Sequence, residues 1–306
     1  MTTLGALLAR SAPPLLLDGG LATELEARGH DLSDALWSAR LLRDEPAAIT
    51  AVHRAFLDAG AQVLTSASYQ ASAEGFARLG LDADEAAALL QLSVRLAQAA
   101  RGDRTDVVVA ASVGPYGAVL AGGEEYTGDY GAITEAELER FHERRLRALL
   151  AAEPDCVACE TIPRADEAAV LARVLDRLQA PDAWISFSCR DDRSTSHGEP
   201  IEAAVAAATT SPRVVAVGTN CTAPEHVEAL LRRARTATDL PLVAYPNSGR
   251  VWDGSARAWT EGGEHALPAA TVRTWAAAGA RLIGGCCGVG PAAVRELALA
   301  HRTETV

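Results

Sequence analysis

Two stretches decide the fold. Asp106-Val107-Val108-Val109-Ala110-Ala111-Ser112 and Asp155-Cys156-Val157-Ala158-Cys159-Glu160 are short, nearly continuous apolar runs that start at an acid and end at a polar side chain. A run without polar alternation suits a strand covered on both faces, as in a parallel sheet. Between them, residues 135–152 repeat apolar positions at helical spacing, so the segment reads as one strand–helix–strand unit. Outward in both directions the pattern recurs. Strands are expected at 15–18, 62–66, 184–189, 214–220, 241–245 and 280–284, and helices at 46–60, 84–101, 165–179, 200–208, 224–236, 268–278 and 291–301. Eight strands alternating with eight helices in 306 residues predict an α/β fold, a single (β/α)8 TIM barrel forming one domain over 1–306. A dinucleotide-binding doubly wound sheet would need G-x-G-x-x-G after its first strand. Asp18-Gly19-Gly20-Leu21-Ala22-Thr23 does not have that spacing.

Composition removes several chemistries. The chain carries 40 acidic and 28 basic residues, for a net charge of −12, so no basic field attracts nucleic acid or an anionic membrane. It contains no lysine, a skew that matches codon bias in a GC-rich genome. Schiff-base chemistry, a pyridoxal anchor, a lysine general base and a Walker phosphate loop are excluded with it. The six cysteines and the lack of a secretory apolar segment point to a reducing compartment, the cytoplasm. No apolar run approaches the ~18 residues that span a bilayer.

Polar and reactive residues gather where the strands end. They are Asp18, Ser66 to Gln70, Ser112 to Tyr116, Glu160, Asn220-Cys221, Tyr245 to Ser248 and Cys286-Cys287, with long polar loops at 113–134 and 246–267. In a barrel these ends meet at one mouth. Cys286 and Cys287 lie between glycines that let the chain turn, and Cys221 follows the sixth strand. Three thiols there suit zinc with one coordination position left open, the arrangement of a catalytic site. Spacing alone also fits three unrelated buried thiols, or a vicinal pair that oxidises. Cys156 and Cys159 are a different case. An offset of three along a strand puts them on opposite faces, so core packing is expected of them. Cys189 is not a ligand candidate, and no histidine pair has metal-binding spacing. Asp18 and Glu160 each end an apolar strand. They either hold a cationic amine at the mouth or pair with arginine.

Eight segments then resemble the homocysteine S-methyltransferase family, most nearly the branch that uses S-methylmethionine or S-adenosylmethionine. They are Asp18–Leu25, Ser66–Ala71, Ser112–Ala118, Tyr126–Tyr130, Cys159–Pro163, Asn220–Pro224, Tyr245–Gly249 and Gly284–Gly288. The resemblance implies one zinc per chain on Cys221, Cys286 and Cys287. It implies that Asp18 and Glu160 contact the homocysteine amine, and that backbone amides near Gly20 and Leu21 receive the carboxylate. The substrates expected are small molecules, homocysteine and a sulfonium donor, with no obligate protein partner. Tyr69, Tyr116, Tyr126, Glu124 and Glu125 are candidate contacts to the cationic donor, through aromatic faces and carboxylates. The competing expectation is a zinc-thiolate or redox-sensing barrel without methyltransferase activity, which needs the thiols and not the carboxylates.

Overall fold

All eight expected strands form, each at the end of a buried apolar run. They are β1 (Leu15–Leu16), β2 (Val63–Thr65), β3 (Val108–Val113), β4 (Cys156–Ile162), β5 (Ala183–Phe187), β6 (Val214–Asn220) and β7 (Leu242–Tyr245), with β10 (Ala280–Ile283) last. A short antiparallel pair, β8 (Trp252–Asp253) and β9 (Ala258–Trp259), stands between β7 and β10. The structure, a computed structural model, describes residues 3–11, 13–32, 38–249, 252–253, 258–259 and 269–302. The sheet order is β1-β10-β7-β6-β5-β4-β3-β2, and its ladders are parallel. Leu17 bridges Val63, and the Asp18 N–H donates to the Val63 carbonyl at 3.1 Å, which brings β1 onto β2 and closes the barrel.

Side-chain size explains how the interior fills. Trp184 on β5 is fully buried, and its register partners on the two neighbouring strands are Ala158 and Ala216. An indole fits there because both flanking positions are small, which keeps the layer at crystal-like density. Cys156 joins Trp184 in the interior cluster, whereas Cys159 belongs to the cluster between strands and helices. The two cysteines therefore face opposite sides of β4, as strand alternation requires.

The outer helices match the periodic segments. The helix Ala83–Arg101 starts at a reciprocal capping box of Asp82 and Glu85, and Glu135–Leu150 starts at another of Thr134 and Glu137. Several helices were not expected, among them Leu4–Arg10, Leu21–Ala27, Ser38–Asp44 and Ala73–Ala77. The helix Leu4–Arg10 buries Leu4 and Leu8 against the interior cluster, with the Gly5 N–H donating to Asp182 Oδ2 at 2.8 Å. Asp182 directly precedes β5, so this helix covers the end of the barrel where the strands begin. The segment 113–134 is more ordered than a loop: it carries the helix Tyr116–Leu120 and a 3-10 turn, Glu124–Tyr126. Of the expected loop 246–267, residues 250–251, 254–257 and 260–267 lie outside the described residues. Among the described residues, no helix is long and apolar enough to cross a membrane.

Candidate functional site

Strand order puts the thiols together. Cys221 follows β6 and Cys286-Cys287 follow β10, on either side of β7. Backbone bonds then fix the three segments at that edge. The Cys221 N–H donates to the Tyr245 carbonyl at 3.1 Å, the Cys286 N–H to Pro246 O at 2.7 Å, and the Ser248 N–H to Cys287 O at 2.9 Å. Gly288 takes φ +78°, a left-handed conformation that glycine adopts freely and that turns the chain away after the paired thiols. All three sulfurs lie within 4.8 Å of one another, and Cys221 Sγ is 3.7 Å from Cys287 Sγ. Four sulfurs held tetrahedrally at about 2.3 Å from zinc would stand about 3.8 Å apart, so the thiols fit that ion.

The thiols share one cavity with the carboxylates. Asp18, Glu160, Glu125, Tyr69, Tyr126 and Tyr245 line it, as do the turn Gly19–Thr23 and the residues Thr65, Ser112 and Thr161. Asp18 is buried and accepts from the Thr65 N–H at 2.8 Å and from its hydroxyl at 3.1 Å. Burial pushes the Asp18 carboxyl up to about 8, and the charge of Glu160 adds to the rise against the bonds from Thr65. Glu160 accepts a hydrogen bond from the Ser112 hydroxyl and is likewise pushed up, to about 7, chiefly by burial. Among the described residues neither carboxylate makes an ion pair with arginine. Both therefore remain available to a cationic ligand.

Gly20 and Leu21 line the same cavity beside the thiol loop. A Cβ on Gly20 would lie 2.7 Å from the Cys286 carbonyl, so glycine is what permits that approach. Its own N–H donates to Val289 O at 3.0 Å. The donors left at this turn are the amides that open the helix Leu21–Ala27, which no carbonyl four residues back can reach.

The donor-contact candidates divide. Tyr69, Tyr126 and Glu125 line the cavity, and Tyr126 Oη stands 3.1 Å from Cys221 Sγ. Tyr116 packs edge-on against Tyr130 and Phe141 instead, and Glu124 accepts from the Gly122 N–H. Glu125 is buried, which pushes its carboxyl up to about 7.

Three supports went unread in the sequence. Thr65 ends β2 and looks there like an ordinary strand residue. Arg145 is buried and donates to the carbonyls of Gly114 at 2.9 Å, Ser68 at 2.5 Å and Tyr69, so it fixes the loops after β2 and β3. Glu167 accepts from the Tyr116 N–H at 2.7 Å and Tyr130 Oη at 2.6 Å, with His142 Nε2 at 2.9 Å. In sequence Arg145 is one charge in an arginine-rich amphipathic helix, and no spacing signal separates it from its exposed neighbours.

Known proteins resemble this chain over most of its length. The sequence model of the homocysteine S-methyltransferase family matches residues 15–301. The chain is 47% identical to homocysteine S-methyltransferase of Escherichia coli (strain K12), over 92% of this chain and 94% of that protein. It is 46% identical to homocysteine S-methyltransferase 4 of Zea mays, over 94% of this chain and 89% of that protein. The crystal structure of the Escherichia coli homocysteine methyltransferase MmuM in its metallated form superposes with a TM-score of 0.85 at 44% identity, covering 95% of this chain and 97% of that one.

Proposed function

The chain belongs to the homocysteine S-methyltransferase family, and on that premise we propose that it transfers a methyl group from a sulfonium donor to L-homocysteine, forming methionine. The donors are S-methylmethionine and, second, S-adenosylmethionine. One observation carries the reading: three thiols within 4.8 Å of one another share a cavity with two buried carboxylates that, among the described residues, make no ion pair with arginine. A thiolate-only metal barrel or redox sensor has no use for the carboxylate pair.

We assign Cys221, Cys286 and Cys287 as ligands of one zinc per chain. When bound, zinc supplies the Lewis acidity that keeps an incoming thiol in its thiolate form at neutral pH. Asp18 and Glu160 hold the homocysteine ammonium, whose charge favours the ionised carboxylates that burial alone disfavours. Leu21, at the head of its helix, donates to the substrate carboxylate, and Gly20 supplies the space. Tyr69 forms part of the wall facing the donor. With both substrates oriented, the acceptor sulfur forms a bond to the methyl carbon as the donor's S–CH3 bond breaks. The bonding pair stays on the donor sulfur, which leaves as a neutral thioether.

We read residues 1–306 as one barrel domain that acts on small molecules in the cytoplasm, without a nucleic-acid, membrane or obligate protein partner. The test pairs elemental analysis with methionine formation. Alanine at Cys221, Cys286 or Cys287 is expected to release the metal and abolish turnover, while Cys156→Ala retains the metal. Full metal content in a Cys286→Ala, Cys287→Ala double variant would contradict the ligand assignment.

A further inference from the structure

We infer that Glu125 is the counter-ion of the donor's sulfonium, a specificity-determining residue that selects cationic methyl donors. The inference rests on the function proposed above and adds to it the residue that meets the donor's charge.

Three observations converge on this side chain. Glu125 is 3% exposed, and its Oε2 is buried without a hydrogen-bond partner. The other two carboxylates of the cavity do have donors, Thr65 for Asp18 and Ser112 for Glu160. A buried carboxylate oxygen left unpaired is costly, and a binding site keeps one where a ligand completes it. Second, the described lining of the cavity contains neither arginine nor histidine, so none of those side chains balances a carboxylate's charge, as a cationic ligand would. Third, the turn that carries Glu125 is fixed. Its carbonyl accepts from Ser188 Oγ at 2.8 Å, and the next residue places Tyr126 Oη 3.1 Å from Cys221 Sγ.

Position decides which cation it meets. Asp18 and Glu160 stand at the ends of β1 and β4, where they serve the acceptor's ammonium. Glu125 lies farther along the chain beyond β3, next to the thiols through Tyr126. A reacting methyl sits about 3–3.5 Å from its nucleophile, so the donor sulfur must come close to the acceptor sulfur, on the side of the thiols that stays open. Glu125 lines the same cavity, and its charge acts on Cys221 and Cys287, so it stands within range of a donor brought to the thiols.

The chemistry gives the assignment a kinetic signature. Positive charge on the donor sulfur disappears as the methyl leaves, so a facing carboxylate stabilises the bound donor at least as much as the transition state. Its removal should raise the donor KM without lowering kcat. It should also erase the preference for the charged donor over a neutral thioether.

The experiment uses the metal-loaded full chain and Glu125→Gln, with Glu125→Asp as a charge-retaining companion. Metal content by elemental analysis, calorimetric Kd values for S-methylmethionine and methionine, and steady-state kinetics are measured on each. Expected for Glu125→Gln are unchanged metal content, a roughly 10- to 100-fold rise in Kd and KM for S-methylmethionine, and kcat not reduced. The methionine Kd and the homocysteine KM should stay within about twofold, and Glu125→Asp should recover part of the sulfonium affinity. A sulfonium KM within twofold of wild type, a fall in kcat at constant KM, or loss of metal would overturn the inference. Wild-type enzyme that makes no methionine from S-methylmethionine and homocysteine would instead overturn the function on which it rests.

Discussion

Asn220 and Thr161 hold each other by two hydrogen bonds. The Thr161 N–H donates to Asn220 Oδ1 at 2.6 Å, and Asn220 Nδ2 donates to Thr161 Oγ1 at 2.8 Å. Thr161 follows Glu160 and Asn220 precedes Cys221, so this clamp joins the carboxylate segment to the thiol segment across β5. Left-handed backbone lies within the clamp and directly beside it. Thr161 and Cys221 have φ of +60° and +46°, conformations that a β-branched residue and a cysteine adopt only when the surroundings impose them.

Asn220→Ala therefore removes a support of the thiol site while leaving its ligands in place. Metal affinity, measured by competition with a chromogenic chelator, should fall about 10- to 100-fold, the range for residues that orient metal ligands. The buried Thr161 N–H and Ser186 hydroxyl lose an acceptor, so stability should also fall, by about 1–3 kcal/mol. A variant that holds its metal as tightly as wild type would make the clamp a feature of the barrel alone.

Affinity for the amino-acid skeleton should rise with pH. In the ligand-free protein Asp18 is held up to about 8 and Glu160 to about 7, so both are largely neutral near pH 6, and Glu160 ionises before Asp18 as pH rises to 9. An ammonium binds only the ionised pair well. Methionine isolates this titration because it has no thiol, and its Kd should tighten by more than tenfold from pH 6 to 8, with Glu160 alone accounting for about tenfold. Glu160→Gln should flatten that profile, and a flat wild-type profile would separate the carboxylates from the amine. Stability runs the other way. Both folded pKa values lie above the unfolded ones, near 4, so the native state holds more protons. Their contribution is greatest below about pH 4 and is lost as pH rises towards 8.

His53 offers a test of the scaffold away from the site. It sits fully buried in the helix Pro46–Ala59 with neither ring nitrogen hydrogen-bonded, and burial lowers its pKa to about 4. A neutral ring is what the fold accepts. Its stability contribution is whole above the unfolded pKa of 6.5 and is lost as pH falls through about 4. His53→Leu removes two unpaired polar atoms at similar volume and should stabilise by about 1–2 kcal/mol. Thermal unfolding should show a Tm higher by about 2–8 °C, with less acid sensitivity between pH 6.5 and 4. A lower Tm would mean that this ring fills its space better than an aliphatic side chain.

The barrel was legible because its signals are local and repeated. Val107 to Ala111 and Cys156 to Cys159 are buried runs whose type needs no knowledge of their neighbours. The opposite facing of Cys156 and Cys159 followed from strand alternation alone. The convergence of Cys221 with Cys286 and Cys287 depends on β6, β7 and β10 standing side by side, and only the chain's path around the barrel decides that. The supports were the hardest to read. Thr65 bonds the Asp18 carboxylate, and Arg145 and Glu167 bond backbone groups, across 31 to 77 positions, and such pairings leave no spacing in the sequence. The helix Leu4–Arg10 was missed for a related reason. It packs on the strand entrances, so it lies outside the strand–helix rhythm that revealed the rest.

The central claim is direct transfer of a sulfonium methyl to the homocysteine sulfur. Metal-loaded enzyme would be incubated with S-methylmethionine deuterated in both S-methyl groups and homocysteine labelled with carbon-13 in its backbone, and the methionine resolved by mass spectrometry. The account predicts one carbon-13 methionine bearing a deuterated methyl for each donor consumed, together with one unlabelled-backbone methionine. Carbon-13 methionine without the deuterated methyl, or none at all while the donor and metal remain bound, would contradict it.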